Sequence, residues 1–158
     1  MGGRALPIRR GVVALVSLVL ASFFLLGLEA QAATRFRDFP IPTASTYPHG
    51  IAAGPDGKLW FAEYYSDKLG RITTAGVITE FPIPTASSLP YQITAGPDGN
   101  LWFTEGYGNM IGRITTAGAI RESGSKAASG PDGIAAGPDG NIWFTENTGN
   151  AIAEFRIP

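Results

Sequence analysis

The sequence has no cysteine and a single histidine, His49, in 158 residues. Without cysteine there is no disulfide, no thiolate metal site and no cysteine nucleophile. The fold must then rest on core packing and strand pairing. Clustered cations are missing as well. Beyond residue 32 the chain carries nine basic and twelve acidic side chains, a net charge of −3. That argues against nucleic acid as a partner, because phosphate binding rests on grouped Lys and Arg. Past residue 32 there is also no helical periodicity. Only one long apolar run exists, GVVALVSLVLASFFLLGL at 11–28.

That run follows Arg4, Arg9 and Arg10 and precedes Ala30-Gln31-Ala32. A basic start, an uncharged apolar stretch and an A-x-A site predict a secretory signal peptide over residues 1–32. The chain is then expected to be exported, periplasmic or secreted, as residues 33–158. An uncleaved segment would be a membrane anchor, because the run is near the spanning minimum of roughly 17–25 residues. This is the one membrane contact expected. The Arg9-Arg10 pair points towards twin-arginine export.

What fills the remainder is a repeat. IAAGPDGKLWFAE begins at residue 51, ITAGPDGNLWFTE at 93 and IAAGPDGNIWFTE at 134. Trp60, Trp102 and Trp143 mark the period of about 42 residues, dividing the chain at about 36–76, 77–118 and 119–158. Each unit reads as β-structure. Pro and Gly in GPDG suit a three-residue hairpin loop closed by a left-handed glycine. IAA or ITA precedes the loop, KLWFAE or N-L/I-W-F-T-E follows it, and LGRIT or IGRIT gives a third strand. VITEFPIP at 77–84 gives a fourth, and FRDFPIPT at 36–43 and AIRES at 119–123 match it. Four short antiparallel strands per unit predict an all-β protein made of propeller blades.

Three blades' worth make a partial propeller, since closed rings have typically four to eight blades. Open apolar blade faces are an association hazard. The expectation is either a homo-oligomer, for instance two chains giving six blades, or a fragment of a larger propeller, or an open arc. An N-terminal fourth strand that completes another blade is one way to close such a ring.

The hairpin predicts a register. With Gly54 opposite Lys58, His49 faces Glu63, Tyr91 faces Glu105 and Asp132 faces Glu146. A histidine beside a carboxylate suits general-base work. The same glutamate recurs in each unit, so it could equally serve the repeat. Asp132 facing Glu146 is unfavourable unless solvated or bridged by a cation. Trp and Phe of each W-F pair point to opposite faces and are expected to pack against the two neighbouring blades. The tyrosines gather at the end away from the turn. Tyr64, Tyr91 and Tyr107 could line a platform for a small-molecule or peptide-like ligand, or simply tolerate half-exposure on loops.

P-H-G-I-x-x-G-P-D-G-x-L-W-F-x-E, then L/I-G-R-I-T-x-x-G, then I-T-E-F-x-I-P-T, resembles the repeat of virginiamycin B lyases, also called streptogramin lyases. The resemblance covers residues 36–158. It implies a seven-bladed propeller that opens type B streptogramin rings by elimination. It implies a histidine base acting on the proton next to the ester carbonyl, and Mg2+ held partly by glutamate. Carried over, His49 matches the P-H-x-I histidine and Glu63 the W-F-x-E glutamate, with Glu105, Asp132 and Glu146 as further metal candidates. The chain departs from the family pattern in having no second histidine and in AIRESGSKA, which has lost E-F-x-I-P-T. The alternative to a Mg-dependent carbon–oxygen lyase is a ligand- or protein-binding propeller segment without chemistry, or the remnant of a longer propeller.

Overall fold

A computed structural model describes residues 35–125 and 129–158. The predicted signal peptide lies outside them. The chain divides into two compact units, Met1–Pro40 and Ile41–Pro158. In the first, the described residues 35–40 form no strand, and the Arg37 guanidinium lies 4.6 Å over the Phe39 ring.

The second unit is all-β, with three antiparallel sheets. The first holds β1 (Pro48–Ala53), β2 (Leu59–Glu63), β3 (Lys68–Ile72) and β4 (Ile78–Pro82) in chain order. The second repeats this with β5 (Pro90–Ala95), β6 (Leu101–Glu105), β7 (Met110–Ile114) and β8 (Ile120–Gly124). The third has β9 (Pro131–Ala136), β10 (Ile142–Glu146) and β11 (Ala151–Phe155). A single 3-10 turn, Tyr64–Ser66, is the only helical element among the described residues. No helix there is long and apolar enough to cross a membrane. The expected strand at 36–43 does not form. The third sheet stops at β11, so nothing in the described sheets pairs with that segment.

Each GPDG turn is built as its sequence dictates. The Gly57 amide donates to the Gly54 carbonyl at 3.1 Å, the Gly54 amide donates to the Lys58 carbonyl at 2.7 Å, and Gly57 has φ +71°. Asp56 Oδ1 then accepts from the Trp60 indole N–H at 3.0 Å, and Asp98 and Asp139 do the same for Trp102 and Trp143. The turn aspartate thus fixes the tryptophan, whose buried N–H needs a partner.

The blades stack as predicted from the W-F alternation, except at Trp143 and Phe61. Trp60, Ala62 and Leu69 pack on Ile93, Leu101 and Phe103 of the second sheet. Trp102 and Ile111 pack on Ile142 and Phe144 of the third. Trp143 is 38% exposed, because no further described sheet covers its face. Phe61 presses on Gly70 of its own sheet, where an added Cβ would lie 2.1 Å from the ring. Polar staples join the stack. Asp67, in left-handed conformation, accepts from the amides of Ser87 and Leu89 in the loop leading to the second sheet. Asn109 likewise accepts from Ser129 and Gly130. Arg71 donates to the Thr116 carbonyl of the second sheet's turn at 2.9 Å.

Candidate functional site

The hairpin register holds from the turn as far as Ile51↔Phe61 and then slips. A bulge lies between Pro48 and Ile51, so Pro48 rather than His49 stands opposite Glu63. The same slip places Pro90 opposite Glu105 and Pro131 opposite Glu146. The predicted pairings His49–Glu63, Tyr91–Glu105 and Asp132–Glu146 are therefore corrected in all three units. An extra residue at this point leaves an amide without its ladder partner. In the second and third sheets the W-F-T-E threonine supplies the acceptor. Thr104 Oγ1 takes the Gln92 amide at 3.1 Å, and Thr145 Oγ1 takes the Gly133 amide at 2.8 Å. Thr104 also donates to the Asp132 carbonyl at 2.7 Å, tying the bulge to the neighbouring sheet. Gly50 belongs to the same feature, since a Cβ there would come within 2.8 Å of the Gln92 backbone.

The bulge separates two chemistries that the simple register had joined. Glu63 and Glu105 turn inward and are fully buried, and Glu146 is nearly so. Glu63 Oε2 accepts from Ser66 Oγ at 3.1 Å, while its Oε1 and both oxygens of Glu105 have no donor. Burial first, and then the charge of Glu80 on the fourth strand, pushes the Glu63 carboxyl up to about 7. Burial, and then Glu122 at the equivalent position, pushes Glu105 up to about 8. Burial also acts upward on Glu80, but hydrogen bonds from Thr43 and Glu63 and the Lys68 ammonium carry it below the usual carboxylate range. Glu63 thus sits against Glu80, and Glu105 against Glu122, inside the first two blades, so there the recurrent glutamate belongs to the blade itself.

His49 turns outward. Its ring lies 4.9 Å from Tyr64 and 4.5 Å from Tyr91. Tyr64 in turn meets Tyr65 at 4.8 Å, and Tyr65 meets Tyr47 at 4.9 Å. Beside this cluster an open cleft of about 270 Å³ crosses the ends of all three sheets. Tyr64, Tyr91, Tyr107 and Asp132 line it together with Leu89 and Asn147. The three tyrosines named from the sequence therefore share one cleft, with His49 against two of them. Leu89 and Asn147 escaped the sequence reading. Their loops carried only a general Gly, Asn and Ser bias, without a repeated letter to mark a lining position.

A magnesium ligand set is not gathered here. Among the described residues no three of His, Cys, Asp or Glu are grouped to hold a metal ion. Glu63, Glu105 and Glu146 lie in separate sheets, and Asp132 lies on the cleft.

The chain is 38% identical to a streptogramin B lyase of known structure, with a TM-score of 0.71 over 78% of this chain and 45% of that one. It is 43% identical to virginiamycin B lyase from Staphylococcus aureus, solved as a catalytically inactive histidine-to-alanine variant with quinupristin. There the TM-score is 0.69, over 75% of this chain and 44% of that one. A gluconolactonase from Xanthomonas campestris shares the fold at 18% identity and a TM-score of 0.55, over 64% of this chain and 35% of that one. The chain spans less than half the length of these structures. The sequence matches the virginiamycin B lyase family over residues 29–157, and the chain belongs to that family.

Proposed function

We propose that the tyrosine-lined cleft binds a cyclic depsipeptide of the streptogramin B class and that His49 is the general base for opening its ring by elimination. The observation that carries this reading is the cleft itself, with Tyr64, Tyr91 and Tyr107 on its walls and the His49 ring packed at a tilt against two of them. Tyrosine rings offer an apolar face with a polar tip, which suits a peptide-like macrocycle. The kinship with lyases, one of them solved with quinupristin, favours the same ligand class.

In the elimination, an imidazole nitrogen of His49 takes the proton on a carbon beside a carbonyl. The C–H pair becomes a C=C bond, and the ring C–O bond breaks with its electrons on the departing carboxylate oxygen. No water enters the product. Tyr64 and Tyr91 hold the imidazole and can donate O–H bonds to substrate carbonyls. Magnesium, when bound in such enzymes, would stabilise the developing negative charge as a Lewis acid. The described residues do not gather a ligand set for it. Export of the chain, from its N-terminal apolar run, belongs to the same proposal.

The reading predicts that quinupristin, titrated against the purified protein by calorimetry, binds in the micromolar range or tighter. Tyr91→Ala should weaken binding by roughly tenfold, the scale of losing one buried aromatic contact. Equal binding by wild type and by Tyr64→Ala, Tyr91→Ala and Tyr107→Ala would remove the cleft from consideration. A second reading, ligand capture without chemistry, is favoured by the burial of Glu63 away from His49. It predicts binding that leaves the macrocycle intact.

A further inference from the structure

The bulge that parts His49 from Glu63 recurs in each sheet, but its clamping differs. In the third sheet the peptide joining Asp132 to Gly133 is held from both sides. Thr104 Oγ1 of the second sheet donates to the Asp132 carbonyl at 2.7 Å, and the Gly133 amide donates to Thr145 Oγ1 at 2.8 Å. In the second sheet Thr104 takes the Gln92 amide, but Ala62 stands where a hydroxyl would meet the Tyr91 carbonyl. In the first sheet the same Ala62 offers the Gly50 amide no hydroxyl. Of His49, Tyr91 and Asp132, which share this position, Asp132 is thus the one clamped by threonines on both sides. It lines the cleft with Tyr64, Tyr91 and Tyr107. We infer that this cleft holds an alkylated ammonium group, with the Asp132 carboxylate as its counter-ion and the tyrosine rings around its methyl groups.

The charge of the cleft calls for a cation. Asp132 is the one charged side chain among the lining residues, and it is half-buried. Among the described residues it enters no ion pair, whereas Asp56, Asp98 and Glu154 each meet a Lys or Arg. A carboxylate partly withdrawn from water and fixed by its backbone gains from a positive group brought close to it.

The rings select the kind of cation. Tyr64 and Tyr91 lie 6.0 Å apart at 72° between planes, which sets two walls at a steep angle. Tyr107 adds a third ring, mostly exposed. A cation over an aromatic face is drawn to the ring's quadrupole, most of all when desolvated. A bare ammonium is a compact, strongly hydrated charge that wants an acceptor for each N–H. An N-alkylated one spreads its charge over methyl groups, which pack on rings and need no acceptor. One carboxylate and three tyrosines answer the second kind. Such a site rests on the cleft assigned above as the ligand site, not on elimination at His49. For a peptide-like macrocycle it names an N-alkylated basic substituent as the group selected.

The test is a calorimetric titration of the full chain with choline and with its uncharged isostere 3,3-dimethylbutan-1-ol, at constant ionic strength. Choline should bind saturably and roughly tenfold more tightly than the isostere, the scale of a partly desolvated cation held by rings and one carboxylate. Asp132→Asn should abolish that preference and leave the isostere unchanged. The threonine clamp grips the main chain, so this variant keeps it. Tyr107→Phe should retain choline binding and Tyr107→Ala should weaken it several-fold, which separates the ring from its hydroxyl. Absence of saturable choline binding, equal affinity for choline and the isostere, or choline binding indifferent to Asp132→Asn would each overturn the inference. Quinupristin binding without choline binding would overturn it while leaving the proposed function standing. Choline binding without quinupristin binding would support it and remove the macrocycle.

Discussion

At Gly112 a Cβ atom would stand 2.0 Å from the Phe103 ring, and at Gly70 2.1 Å from the Phe61 ring. Both rings are buried and have little room to yield. Gly112→Ala should cost about 1–3 kcal/mol, the usual range for overpacking a filled core, read as a lower urea midpoint with an unchanged slope. Asp98 acts at the same scale. It accepts from the Trp102 indole at 3.0 Å and from the Asn100 amide at 3.2 Å. Asp98→Ala leaves the indole N–H of a nearly buried tryptophan without a partner and should lose about 1–3 kcal/mol in the same measurement. These positions were legible because each recurs at the repeat spacing with its partner. The spacing of Gly, Asp and Trp in GPDGxxW states the turn, and the turn states the contact. Leu89 and Asn147 have no such recurrence, so their place on the cleft shows only when the sheets are stacked.

Among the elements, the β-hairpin of each unit was readable as far as its bulge. Pro55, Asp56 and Gly57 set the loop length, and the pairing runs as expected to Ile51↔Phe61. Beyond that, alternation alone does not reveal one extra residue. Thr104 and Thr145 were the available signal, since a hydroxyl in W-F-T-E can serve the amide that a bulge leaves over. Without it, alternation joins His49 to Glu63, whereas the bulge leaves the histidine exposed and the glutamate buried. The glutamates instead couple the blades to pH. Glu63 and Glu105 hold their protons more tightly folded, at about 7 and about 8, than at the ordinary value of 4.5. Their contribution to stability is complete below about 4.5, falls as the pH rises and is lost beyond about 8. Denaturant midpoints should therefore decline from mildly acidic to mildly alkaline pH. Glu105→Gln should flatten part of that decline, because it keeps a hydrogen-bond donor towards Glu122 at every pH.

For the whole molecule, three units at a period of about 42 residues were plain in the tryptophan spacing, and the propeller-type stack follows from two opposite apolar faces per sheet. The strand expected at 36–43 failed for a reason sequence cannot express. Its letters match β4, but a strand exists only beside a partner edge. The cleft is likewise a property of the stack, since Tyr64, Tyr91 and Asp132 come from successive sheets. The most direct measurement of its chemistry is to incubate the protein with quinupristin and follow the macrocycle by chromatography and intact mass. Elimination at His49 predicts a ring-opened product of unchanged mass, formed by the wild type and lost in His49→Ala, which still binds. A ring-opened product that has gained water, equal turnover by His49→Ala, or an antibiotic left whole by the wild type would contradict it.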